Sequence, residues 1–163
     1  MNVIRFPKRK ILFVSNGGLC RAAMAAGILR RRLLEQGQDQ DGPIQVASGA
    51  ISDIHVGKPP TALAIEAAAA RGCDIRDIRV RKVAPQDLDS AEVLATDRIV
   101  LSALRNLAPH GFSEKPKLLT RYSGMGLVDI VDPYGGTMND YRVALDLIEA
   151  SCEGLFAALA RRH

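Results

Sequence analysis

Ser15 and Arg21 frame the run Ser15, Asn16, Gly17, Gly18, Leu19, Cys20, Arg21, and these residue types at this spacing can hold an oxyanion. Two glycines let the backbone turn successive N–H groups inward, which makes an anion-binding concavity. A helix opening directly after the loop adds the positive end of its dipole. Arg21 supplies a planar fork for two phosphate oxygens. Phosphate or sulfate is the ligand such a loop takes. The same seven residues also fit a plain strand-to-helix turn with a surface arginine, and the segment alone leaves both readings open.

The surrounding elements say what positions the loop. Residues 10–15 (KILFVS) form a short apolar run with a β-branched member, as in a strand buried on both faces. Asn16-Gly17-Gly18 is a turn signal. Residues 19–36 then carry Met24, Ile28, Leu29 and Leu33 at helical spacing, with Gly37 as the stop. Further strands are expected at 44–48, 92–95 and 117–119. Helices are expected from Pro60 to Gly72, at 97–107 and at 138–160, the last with a stripe of Tyr141, Leu145, Ile148, Cys152 and Leu155. Strands alternating with helices imply βαβ units. The expected fold is α/β: a single domain over residues 1–163, a three-layer α/β/α sandwich around a four-stranded, mainly parallel, twisted sheet. Ligands collect at the carboxyl ends of such strands, where residues 15–21 lie.

Composition narrows the partners. The chain has 163 residues, enough for one core, and a net charge of +4, too small to argue for nucleic acid. Its basic start reads as a solvated lead-in to the first strand, and no run is apolar enough for a signal peptide or a membrane span. Cys20, Cys73 and Cys152 make an odd number without a C-x-x-C pair, so neither a disulfide framework nor a zinc site is indicated. A reducing cytoplasm suits them. His55 and His110 have no partners at metal-ligand spacing and read as structural or surface residues. Arginines 30–32 read as the exposed end of a helix. Asp97 either caps the helix it precedes or braces the loops of the site.

The segment ILFVSNGGLCRAAMA resembles the active-site segment of the low-molecular-weight protein tyrosine phosphatases, whose signature is a cysteine, five residues and an arginine after a buried strand. SGAISDIHVGKPP, RVRKVAPQDL, the strand before Asp97 and VDPYGG before a long helix resemble later blocks of that family, in order. The resemblance covers about the full chain and implies a two-step cleavage of phosphate monoesters without a cofactor. A cysteine thiolate attacks phosphorus, and an aspartic acid protonates the leaving group and then assists water. Carried over, Arg21 is the phosphate clamp, Asp132 the acid, and Ile54 and Tyr134 flank the substrate cleft. Cys20 matches the family's second cysteine, and no redox cysteine of the related arsenate reductases is present.

The nucleophile position is Ser15. A phosphate loop lowers a cysteine pKa to roughly 3.5–7.5. A serine hydroxyl ionises about six units higher, on the order of a millionfold in ionised fraction. Other family positions depart as well: Gly18 for an asparagine, Ala22 for a serine, Ala23 for a proline, Ile78 for a histidine, Ile54 for an aromatic and Gly135 for a second tyrosine. Ser48, a further member of the loop's supporting network, remains. The expected function is a pseudophosphatase that binds phosphate, a small phosphomonoester or a phosphorylated protein with little turnover. Two alternatives stand beside it: an active phosphatase in which a cysteine has been replaced by Ser15, and an interaction scaffold without anion binding.

Overall fold

A computed structural model describes residues 4–161. The strands are β1 (Arg9–Ser15), β2 (Ile44–Ala50), β3 (Glu92–Ala95) and β4 (Lys117–Leu118). All three pairings are parallel, in the order β2-β1-β3-β4. The helices are α1 (Arg21–Glu35), α2 (Ala62–Ala69), α3 (Asp87–Ser90), α4 (Arg98–Leu107) and α5 (Met138–Arg161). This is the α/β layering expected from the alternating pattern.

β1 is paired on both sides, which explains its unbroken apolar run. Ile11 and Phe13 enter the core shared with α1, α2 and α5, while Leu12 and Val14 enter the one shared with α3 and α4. Successive side chains of a strand face opposite ways, so a central strand covered on both sides has no polar face to spare. The chain leaves β1 where the strand order reverses, between β1 and β3. That is the crevice in which an open α/β sheet presents a ligand.

The buried face of α1 is built from small residues, Ala22, Ala23, Ala25, Ala26 and Gly27. A Cβ at Gly27 would run into the Ile75 side chain, so the glycine permits close approach of the 73–75 segment. The expected stripe on α5 is wholly buried: Tyr141, Leu145, Ile148, Cys152 and Leu155.

Three features depart from the sequence expectation. A 3-10 turn, Leu119–Tyr122, begins within the stretch expected as strand at 117–119 and runs on where no element was expected, and the four-residue α3 had no counterpart. Arginines 30–32 are not simply the exposed end of a helix. Arg30 donates to the Val46 carbonyl at 2.9 Å, and Arg32 lies 4.0 Å over the Phe156 ring while pairing with Glu153. Long basic side chains lay their stems and flat heads on apolar surface, which periodicity does not reveal.

Candidate functional site

Residues 15–21 line a cavity of about 200 Å3, closed by His55, Asp132 and Tyr134. A larger groove of about 790 Å3 runs along the later part of α1 and contains none of these residues. The smaller space is the one that the residues singled out from the sequence line.

Ser15 ends β1 and is buried, and its Oγ accepts a hydrogen bond from Gly18 N at 3.1 Å. No imidazole or carboxylate hydrogen-bonds to that hydroxyl among the described residues. Gly18 has φ +78°, which L side chains rarely adopt, and a Cβ there would meet Ala50 Cβ at 3.0 Å and Val80 Cγ1 at 3.1 Å. The turn therefore needs a glycine for conformation and for space. Ala22 and Ile78 are both buried among apolar neighbours.

Arg21 is buried at 2% exposure at the first position of α1. Its Nη1 donates to Asp97 Oδ2 and to the Ile130 carbonyl, both at 2.7 Å. Nη2 lies 3.8 Å from Asp132 Oδ2. Its Nε is buried and has no hydrogen-bond partner. Leaving a buried donor of a charged group unmatched costs about 1–3 kcal/mol or more, so an acceptor there is strongly favoured. Asp97 fills both roles considered for it. Its Oδ1 caps α4 by accepting from Val100 N at 2.8 Å, and its Oδ2 fixes Arg21.

Asp132 is half-exposed, and its Oδ1 accepts from Tyr134 N at 3.1 Å in a local turn. Tyr134 stands exposed at the rim, its ring 6.1 Å from that of His55. Ile54 does not line the cavity, contrary to its expected place in the cleft. It is 74% exposed, and the wall is His55, the next residue. The lack of metal-ligand spacing around His55 says nothing of its place on the cavity wall. The usable signal was its position in the loop after β2, which opens at the same end of the sheet as residues 15–21.

Cys20 lines the cavity but faces a polar pair beneath it: Sγ lies 3.4 Å from Tyr141 Oη and 3.7 Å from Thr61 Oγ1. Thr61 Oγ1 and Tyr141 Oη are 2.9 Å apart, and Thr61 also caps α2. Burial pushes the Cys20 thiol above its ordinary pKa, the opposite of what a nucleophilic cysteine needs. Its contacts tie the loop to α2 and α5. No group of three or more metal-ligating side chains occurs among the described residues.

Residues 10–163 match the sequence family described as low molecular weight phosphotyrosine protein phosphatase. The chain belongs to that family. The phosphatase YfkJ of Bacillus subtilis is 31% identical over 155 residues, covering 93% of this chain and 96% of that protein. A Streptomyces coelicolor low-molecular-weight protein tyrosine phosphatase is 30% identical over 156 residues, 92% and 93% of the two chains. The YfkJ crystal structure superposes with a TM-score of 0.84 over 94% of this chain and 96% of that one. Vibrio vulnificus Wzb, solved with benzylphosphonate, is 26% identical with a TM-score of 0.79, covering 93% and 99%. No helix among the described residues is long and apolar enough to cross a membrane.

Proposed function

We propose that this member of the phosphatase family is a pseudophosphatase. It binds phosphate or a phosphorylated ligand in the loop of residues 15–21 and turns over little of it. The carrying observation is the pairing of Arg21, buried with an unmatched Nε, with a Ser15 hydroxyl that has no base bonded to it. The first gives the site an unmet need for an oxyanion. The second leaves the nucleophile position un-ionised. Wzb carries a phosphonate in its complex, which supports an anion of that class here.

In this reading Arg21 and the loop amides hold the phosphoryl oxygens. Asp132 stands at the place of the leaving-group acid, with nothing to act upon when no bond to phosphorus forms at Ser15. The ligand is a phosphomonoester or a phosphorylated protein. Tyr134 and His55 are its flat walls, so selectivity for an aromatic ester is weak, about 0.5–1.5 kcal/mol per ring contact. Residues 1–163 act as one domain, and the three free thiols suit the cytoplasm.

Calorimetric titration with inorganic phosphate and a phosphotyrosine peptide tests this, beside a para-nitrophenyl phosphate assay. Binding is expected for the wild-type protein, with a loss of at least about tenfold in Arg21→Met. Arg21-independent binding, or turnover matching that of a cysteine-bearing relative, would overturn the proposal.

A further inference from the structure

A serine hydroxyl has one proton to donate and two lone pairs that accept. At Ser15 only the accepting side is used. Its Oγ accepts from Gly18 N at 3.1 Å, and no acceptor lies within hydrogen-bond reach of its proton among the described residues. The residue is 2% exposed. Buried polar groups are matched as a rule, so an O–H without an acceptor at this depth points to a partner from outside the chain.

The loop fixes where that hydroxyl lies. Residues 15–21 curl around the cavity, and the bond from Gly18 N to Ser15 Oγ joins two residues of its wall across the start of the curl. A backbone N–H that reaches a side chain three residues earlier closes a turn on its concave side. Oγ is therefore on the inside of the loop, where the amides that form an anion concavity converge. An oxyanion seated there accepts without donating, which is what a free O–H requires.

We infer that Ser15 is a ligand of the bound anion: it donates its hydroxyl proton to an oxyanion oxygen while Gly18 N–H holds Oγ in place. The inference rests on the anion-binding reading above and deepens it. A thiolate at the same position has no proton to give and sets its own negative charge against the anion. The serine adds a donor and removes that repulsion, so it changes the position from one that attacks to one that binds. A hydrogen bond to a charged oxygen is about twice as strong as one between neutral groups, so the donor also selects ligands that present an ionised oxygen.

Sulfate is the suitable probe, since its oxygens accept and do not donate near neutral pH. It is titrated calorimetrically at pH 8 into wild-type, Ser15→Ala, Ser15→Cys and Arg21→Met proteins. Ser15→Ala is expected to weaken sulfate binding at least about tenfold, the contribution of one hydrogen bond to a charged group. Ser15→Cys separates a donor from a mere brace of the loop. Its sulfur can still accept from Gly18 N, and beside Arg21 at a helix start it is largely thiolate at pH 8, with a pKa of roughly 3.5–7.5. It should therefore bind sulfate no better than Ser15→Ala. In crystals with sulfate bound, one of its oxygens should stand about 2.5–3.0 Å from Ser15 Oγ. Sulfate affinity within about twofold of wild type in either Ser15 variant overturns the inference and leaves the anion site standing. Wild-type and Arg21→Met proteins that bind sulfate alike, or not at all, overturn the anion site and the inference together.

Discussion

Arg21 and Asp97 lie 76 residues apart in sequence and meet at 2.7 Å between Nη1 and Oδ2. Asp97 ends the β3 crossing and begins α4, and Arg21 begins α1, so one ion pair ties together the openings of the two helices that leave β1 and β3. The Ile130 carbonyl completes the hold on Nη1, drawing the segment before Asp132 into the same cluster. The guanidinium is therefore oriented before any ligand binds. An anion site made this way loses little freedom on binding.

Asp97→Ala removes the partner of a buried cation and the cap of α4 at once. Breaking a buried pair on one side costs about 3–5 kcal/mol, and a lost cap about 1 kcal/mol more. Urea denaturation should show a loss in that range. Asp97→Asn retains an oxygen for Val100 N, so it should fall short of the alanine variant by about the cap's value. Equal losses in the two variants would assign the whole effect to the ion pair.

Turnover should not return on replacing Ser15 alone. A cysteine there would still lack the hydroxyl that the family places at residue 22, where this chain has buried Ala22. A hydrogen bond to a charged group contributes about 1.5–3 kcal/mol. Ser15→Cys with Ala22→Ser should therefore hydrolyse para-nitrophenyl phosphate at least about tenfold faster than Ser15→Cys. Restoring the asparagine carries its own cost, because φ at Gly18 is +78° and a Cβ there would press on Ala50 and Val80 at 3.0–3.1 Å. Strong activity in Ser15→Cys by itself would point to a site that lacks only its nucleophile.

The sheet, its parallel sense and the place of residues 15–21 were legible because β1 is buried on both faces. Its composition, and the glycines that follow it, are local signals. The segment Asp132-Pro133-Tyr134 was legible as a loop, and two of its residues line the cavity. What stayed hidden depends on tertiary placement. Whether Ile54 or His55 faces the cavity is a matter of side-chain direction in a loop, which no periodicity sets. The Cys20, Thr61 and Tyr141 cluster joins three distant segments. The four residues of α3, with Leu88 its one apolar member, carry too short a pattern to read as a helix.

Tyr141 gives the alkaline limb of stability a specific cause. Burial, followed by the hydrogen bond with Cys20, pushes its phenol up to about 12, against an ordinary value of about 10. The folded state keeps the proton in a range where the unfolded chain has lost it. Stability from this group is thus full below about pH 10 and falls as pH rises toward 12. Cys20 and Cys152, both raised by burial, act in the same direction from nearer pH 9. Tyr141→Phe removes one titrating proton, so its unfolding free energy should decline less steeply between pH 10 and 12. Parallel curves for variant and wild type would place the alkaline loss elsewhere.

Gly154 sets helix propensity against packing. It lies inside α5, where alanine is favoured over glycine by about 1 kcal/mol. A Cβ at this position, however, would collide with the Tyr122 carbonyl in the 3-10 turn. That obstacle is backbone, which cannot swing aside as a flexible side chain does. Overpacking of this kind costs about 1–3 kcal/mol, and separating α5 from the turn also opens contacts along their shared face. The clash should win, leaving Gly154→Ala less stable than wild type by up to about 2 kcal/mol. At Gly37, just past the end of α1, a Cβ meets nothing within 4 Å, but φ is +81°. Gly37→Ala should therefore lose stability through backbone strain alone, about 1–2 kcal/mol. Thermal unfolding with crystallography of the two variants separates the mechanisms: Gly154→Ala should displace Tyr122, and Gly37→Ala should leave the α5 contact in place.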